Sequence, residues 1–410
     1  MVRRWLLKAH GKRILPIVTI VLGVAFVACQ PPSTPPYPSA TPPLPTEIQV
    51  PPTQMAAVQP ATLSPTADSN PTSIPIYGPT GFPLDMNPLT GLRVDDPAVL
   101  NRRPLLIKVS NFPPVVRPQN GLSFADHVWE HVVEGFRYTR LTAVFYSQTP
   151  DSVGSVRSGR LPDLELVPMY QGLYFASGFS SNQHDPNGPP RMRELMRAAD
   201  WFPRNFSSDF GYGEPYAVRF PIEGVAYEHT LFAIPAELWK LAEEKGLNQR
   251  PVLEPGLAFS TAVPSGGTPT TSLIIDYPVD GPKNEWRYDA ESGRWLHWVD
   301  DAPLSDFLTG EQLAFENVVI VYAEHYEADF LEYQSGSSGL YSVGAVMQGE
   351  GSAVLLRDGQ RFVVTWRRPD RDSMMQFFDA NGAVVPFKPG KTWFNLVATN
   401  IFPPEITFAP

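Results

Sequence analysis

Apolar positions fall into three regimes along this 410-residue chain. A continuous apolar run, Ile14 to Ala28, follows a basic head free of acidic residues. From Gln30 to about Pro79 the chain carries 15 prolines and only two charges, Glu47 and Asp68. Beyond Asn87 short apolar runs alternate with turn signals, the spacing of a folded region. Pro104 to Ser110 (PLLIKVS) and Thr139 to Ser147 (TRLTAVFYS) predict strands, because they are short and rich in β-formers. Arg191 to Asp200 predicts a helix, as does Ala236 to Lys245, which follows Pro235 and stops at Gly246. Pro162 followed by Asp163 suits the first turn of another. The stretch 81–250 therefore reads as an α/β domain.

Residues 251–271, rich in Pro, Gly, Ser and Thr, read as a connecting segment. After it strand signals dominate. Ser272 to Tyr277, Glu285 to Tyr288, Trp295 to Val299, Asn317 to Tyr322, Ser352 to Leu356, Phe362 to Arg367 and Met374 to Phe378 are short β-rich runs, separated by turns such as Asp358-Gly359 and Asn381-Gly382. Residues 272–410 are expected to form a predominantly β domain, a sandwich or a curled sheet.

The N-terminus sets the address. Arg3, Arg4, Lys8, Lys12 and Arg13 precede the apolar run, and Cys29, the only cysteine, closes it. The run has the length of a signal-peptide core rather than of a spanning helix, which needs about 20 apolar residues. Residues 1–28 are therefore expected to be a lipoprotein signal peptide with Cys29 as the lipid attachment site; an uncleaved anchor is the alternative. Two or more acyl chains on Cys29 would hold the protein at a membrane. Residues 29–80 are expected to be a disordered tether, since they cannot bury enough apolar surface to fold. The full chain carries −10 at pH 7, and loss of five basic and no acidic residues with the signal leaves 27 basic against 42 acidic, a balance of −15. An acidic body argues against nucleic-acid binding, which runs on Lys and Arg neutralising phosphates.

Two constellations could carry chemistry. Arg117, Arg140, Arg157 and Arg160 offer planar forks suited to carboxylate or phosphate. Asp126, Glu130 and Glu134 lie close in sequence, so the two sets could equally pair as structural salt bridges. His127 and His131, in the order His-Val-Trp-Glu-His, match a zinc-protease pattern. They would share a metal only on a helix, because four residues of strand separate them by about 13 Å. The segment 125–133 fits either a helical stripe or a β-branched strand. His229 has no visible partner for base catalysis. Gly390-Lys391-Thr392 lacks the earlier glycine of a phosphate loop, with Val385 in its place. Trp286, Tyr288, Trp295 and Trp298 could form a sugar platform, but strand alternation sends Trp295 and Trp298 to opposite faces and favours core packing. No cofactor is expected.

The order of short motifs adds a resemblance. Asn87-Pro88-Leu89-Thr90-Gly91, Arg117-Pro118-Gln119, Ala125-Asp126, Glu130, Glu134-Gly135, Thr139-Arg140, Gly154-Ser155-Val156-Arg157-Ser158, Arg160, Trp286-Arg287-Tyr288-Asp289, Asn317-Val318-Val319 and Pro389-Gly390-Lys391-Thr392-Trp393 follow one another in the chain. Over roughly Asn87 to Thr399 the sequence resembles the YerB-like lipoprotein family, a domain of unknown function with N-terminal and C-terminal parts. Ser155 stands where that family usually has Pro. The resemblance implies a lipid-anchored protein on the extracytoplasmic face of the cell membrane, and brings no reaction, ligand or catalytic residue. Binding of a cell-wall glycan or other anionic envelope polymer through the arginines is the expected function. Strand order and arginine placement are also similar to those of LytR-CpsA-Psr wall-polymer transferases. That similarity implies the alternative, an enzyme acting on wall polymer or its lipid-linked precursor with Asp126, Glu130 or Glu134 as acid, base or metal ligand.

Overall fold

A computed structural model of the chain describes residues 74–181, 188–335 and 338–410; the expected signal segment, Cys29 and nearly all of the tether lie outside them. The apolar runs of the first half become strands buried on both faces. These are β1 (Leu105–Ser110), β2 (His127–Val132) and β3 (Thr139–Phe145), in which every residue is buried. Alternation sorts their side chains between two cores. Leu105, Ile107 and Val109 of β1 enter one, and Leu106 enters the other. Lys108 follows the parity of Leu106, so the sequence places a charge in the middle of a buried strand.

The remaining first-half elements are short: β4 (Val153–Gly154), α1 (Asp163–Met169), β5 (Leu173–Phe175), α2 (Met192–Ala198), β6 (Ala217–Arg219), β7 (Leu231–Ala233) and α3 (Pro235–Glu244). Pro162 and Asp163 open α1 as expected, and α3 ends before Gly246, whose φ of 65° only glycine adopts readily. Segment 125–133 resolves as strand, and Gly135, at φ 57°, turns the chain from β2 into β3.

The main sheet has ten strands and draws on both halves of the sequence. Its order is Gln376–Phe378, Gln360–Arg368, Gly349–Arg357, Asn317–Ala323, Thr392–Ala398, β2, β3, β1 and β5, with Thr268–Pro269 beside Gln360–Arg368. Thr392–Ala398 lies parallel to both Asn317–Ala323 and β2, and is buried along its whole length. Such central parallel strands are covered on both faces, hence their unbroken apolar runs. A second sheet of six strands includes Ser272–Asp276, Lys283–Asp289 and Arg294–Val299, in which buried and partly exposed residues largely alternate. Trp286 and Trp295 are buried there, and Trp286 meets Trp393 edge-on at 5.4 Å. These rings are core. A two-stranded hairpin, His325–Ser335 with Ser338–Ala345, completes the second half.

The fold is therefore mostly sheet, with its three described α-helices all in the first half. The described residues form one compact unit. Leu253, Leu257, Ala258 and Phe259 are buried, and Phe259 pairs with Tyr77 at backbone distances of 2.8 and 2.9 Å. The packed region thus begins about ten residues earlier than the apolar pattern suggests. The expected tether boundary at residue 80 moves with it, because ladder bonds at Tyr77 replace the missing apolar signal.

Candidate functional site

Register across β1, β3 and β2 lines up a polar row on one face of the main sheet. Ser110 lies opposite Arg140, which lies opposite His131; Lys108 lies opposite Thr142, which lies opposite Trp129. The N-terminus of α1 covers this row. There Asp163 accepts from Lys108 Nζ at 3.0 Å and Thr142 Oγ1 at 2.7 Å through one oxygen. Its other oxygen accepts from the Arg160 backbone N–H at 2.7 Å and from Tyr174 OH at 2.8 Å. Burial alone would raise this carboxyl, but the Lys108 charge and the hydrogen bonds from Arg160 and Thr142 together hold it below the usual range. Lys108 itself is pushed down to about 8 by burial, which Asp163 opposes. Lys108 Nζ also donates to His131 Nε2, so His131 is neutral and turns Nδ1–H to the Val132 carbonyl at 3.1 Å.

One turn of structure away, Glu134 organises the arginines. Its Oε1 is shared by Arg140 Nη2 at 3.1 Å and by Arg160 Nη2 in a shorter contact. Arg160 Nη1 lies 3.6 Å from Glu332, which accepts from Ser342 Oγ at 2.8 Å. Burial would raise the Glu134 carboxyl, yet Arg140 and Arg160 hold it well below the carboxylate range. Two of the expected anion-binding arginines are thus engaged by one of the expected acids.

Arg157 differs. It borders a cleft of about 330 Å³ together with Glu134, Arg140, Tyr138 and His229. Among the described residues no carboxylate pairs with it; its one side-chain hydrogen bond there runs from Nη1 to the Glu228 carbonyl at 3.3 Å. Burial, then the charge of Arg160, lowers its pKa. Its Nε is buried without a partner, as are His229 Nδ1 and Ser155 Oγ. His229, at the end of the turn Tyr227–His229, is 6% exposed, and burial followed by the Arg157 charge lowers its pKa. Arg140 and Arg160 pair with Glu134 and Glu332, whereas Arg157 feels the Glu228 and Glu134 carboxylates only from beyond ion-pair distance.

Of the other expected residues, Arg117 borders a neighbouring apolar hollow, and Asp126, Glu130 and His127 are not in the lining of the Arg157 cleft. Arg117 pairs with Asp300 at 2.5 Å and donates to the Asn111 carbonyl at 2.9 Å. Glu130 accepts from Asn111, Thr139 and Asn284 at 2.7 to 3.1 Å, and burial raises its pKa. Asp126 accepts from Asn87, the Ser147 hydroxyl and the Tyr146 N–H, each at 2.6 Å, so it fastens the chain start to the end of β3. His127 contacts Tyr170 OH and the Leu89 carbonyl, both at 2.7 Å. The zinc reading of His127 and His131 fails on this strand, since imidazoles four residues apart cannot meet on one ion. Lys108, Asp163 and Glu332 were absent from the sequence-based candidates. For Lys108 the signal was present: a single charge inside an apolar strand.

Comparisons agree with this architecture. The family profile described as "Protein of unknown function (DUF3048) N-terminal domain" matches residues 89–248, and its "C-terminal domain" counterpart matches residues 274–394. The chain belongs to this family. It is 28% identical over 312 residues to "Putative lipoprotein YerB" of Bacillus subtilis (strain 168), covering 76% of this chain and 85% of that one. The crystal structure of the YerB protein from Bacillus subtilis superposes with a TM-score of 0.62 and 26% identity, covering 78% of this chain and 99% of that chain. The two profiles divide the sequence near the expected connecting segment, although one sheet runs through both parts.

The Lys108–Asp163 pair yields a stability prediction. Lys108→Met strands a buried carboxylate and is expected to cost about 3–5 kcal/mol, with Lys108→Met/Asp163→Asn recovering part of it. Urea unfolding measures both; a single-variant loss below about 1 kcal/mol would contradict a charged, paired Lys108.

Proposed function

We propose that this family member is a lipid-anchored protein of the cell envelope that binds an anionic component through the cleft bordered by Arg157. Anchoring is supported by the basic head, apolar run and Cys29, and by a relative whose printed name is a lipoprotein. No helix among the described residues is long and apolar enough to cross a membrane; in this reading the attachment is Cys29. A lipidated cysteine followed by a proline-rich tether would place the folded part on the extracytoplasmic face, beyond the bilayer surface.

The observation that carries the binding reading is Arg157. Desolvating a guanidinium without a carboxylate is costly, and an incoming anion offsets that cost. Arg140 and Arg160 are engaged by Glu134, so among the described residues bordering the cleft Arg157 is the arginine without an ion-pair partner. With −15 on the mature chain, long-range attraction would not bring an anion in. Capture would depend on short-range geometry at the cleft. A cell-wall glycan bearing phosphate, or another anionic envelope polymer, fits these terms.

The acidic residues favour binding over wall-polymer chemistry. Glu134 is held ionised between two arginines, while Asp126 and Glu130 are hydrogen-bonded away from the cleft. A general acid needs a carboxyl raised toward neutral pH within reach of the ligand.

Replacing Cys29 with Ala should abolish metabolic labelling by radioactive palmitate; persistent label would overturn the anchoring. For the cleft, Arg157→Ala should weaken binding of short poly(glycerol phosphate), measured by calorimetry, by about 10-fold or more, the worth of a hydrogen bond to a charged group. Its melting temperature should stay near that of wild type. Equal binding by the variant, or none by wild type, would remove Arg157 from the account.

A further inference from the structure

A second hollow adjoins the Arg157 cleft, and His229 stands in the wall of both. This hollow holds about 410 Å³ and is bordered mainly by apolar side chains, among them Val115, Phe220, Ile222, Val225, Phe232 and Phe307. Val115, Phe220, Ile222 and Phe307 are between 45% and 71% exposed. Isolated exposed apolar side chains are ordinary, but several on one concavity mark a binding surface. Its walls come from separate parts of the chain: the turn after β1, the loop between β6 and β7, and the loop carrying Phe307 from the second half.

The polar end of the hollow is equally specific. Ser155 is 4% exposed and His229 is 6% exposed, both border the apolar hollow, and Ser155 Oγ and His229 Nδ1 have no hydrogen-bond partner. Arg157 follows two residues after Ser155 and brings an unpartnered Nε to the neighbouring lobe. The Ser155 hydroxyl, the His229 imidazole and the Arg117 guanidinium border the apolar trough, and Arg157 borders the adjoining lobe that shares His229. Three phosphate oxygens can use them better than the two of a carboxylate.

We propose that the two hollows form one site for a small amphiphile, an apolar chain in the Phe220–Phe307 trough carrying a phosphate monoester head at Ser155, Arg157 and His229. This rests on the anion-binding reading above and narrows it to a ligand class. The total space falls within the range of small-molecule pockets, with an apolar lining and a few convergent polar groups. Ser155, Arg157 and His229 orient the head; the trough supplies most of the affinity through area removed from water.

The test compares dodecyl phosphate, dodecanoate, dodecyl maltoside and glycerol 3-phosphate by calorimetry, with the long-chain probes below their micelle concentrations. Dodecyl phosphate should bind at least about 100-fold more tightly than glycerol 3-phosphate, because each buried methylene contributes roughly fourfold. It should also exceed dodecanoate and dodecyl maltoside. Ile222→Asp, at an exposed position, should weaken dodecyl phosphate by about 10-fold or more and leave glycerol 3-phosphate unchanged, while Arg157→Ala weakens both. Equal binding of the long and short phosphates would overturn the amphiphile site and leave the anion reading standing. Equal binding of dodecyl phosphate and dodecyl maltoside would overturn the head assignment. Conversion of a wild-type dimer to monomer by Ile222→Asp, seen in sedimentation, would assign the trough to a second copy and overturn the proposal.

Discussion

Glu134 sits where a single buried carboxylate must satisfy two guanidinium groups, and the first half of the fold is arranged around that requirement. A charge withdrawn from water persists only when paired and hydrogen-bonded. Glu134, just past β2, draws in Arg140 from β3 and Arg160 from the loop before α1. The Arg160 backbone then binds Asp163, and Asp163 takes Lys108 from the centre of β1. Three strands, one loop and one helix are joined by this sequence of contacts. The pairing that secures Arg140 and Arg160 leaves Arg157, among the described residues, with no carboxylate at ion-pair distance.

The second half closes the same structure rather than standing beside it. Thr392–Ala398 inserts between β2 and Asn317–Ala323, so the main sheet would expose its central strands if either half were absent. Side chains reinforce the join. Arg368 reaches α1, pairing with Glu165 at 2.7 Å and donating to its carbonyl at 2.9 Å. Asp306 accepts from the Gly121 and Ser123 N–H groups at 3.1 and 2.7 Å. That contact carries Phe307 to the rim of the apolar trough, whose other walls belong to the first half. The candidate site is thus a product of both family regions.

What the sequence disclosed follows physical lines. Strongly patterned elements were legible: β1, β3, α2, α3 and most later strands lie within a few residues of their expected places. The hairpin His325–Ser335 with Ser338–Ala345 was not, because its partly solvated strands mix Glu, Asp and Gly with aromatics and show no sustained alternation. Segment 125–133 was ambiguous because its apolar residues fit both periods, and pairing with β3 and Thr392–Ala398 decided it. Within the expected connecting segment Leu253, Leu257, Ala258 and Phe259 are buried, while Pro255, Gly266 and Pro269 are exposed. For the site, charge proximity in sequence left pairing and anion binding as alternatives, and Glu134 pairs with Arg140 and Arg160. It could not say which arginine would be left over, since that depends on Glu332 arriving from the hairpin. Ser155 and His229 gained their meaning only from burial without partners.

In the proposed cleft Arg157 lacks a carboxylate at ion-pair distance among the described residues, and a bound anion would supply the partner charge. His229 reports it, because burial and Arg157 lower its pKa below the ordinary value of about 6.5. A proton NMR titration of the mature chain, with His229 assigned through His229→Gln, measures this directly. The account predicts a pKa below about 6.5 that rises when glycerol 3-phosphate is added and does not rise in Arg157→Ala. A pKa at or above about 6.5 that the anion leaves unmoved would contradict it.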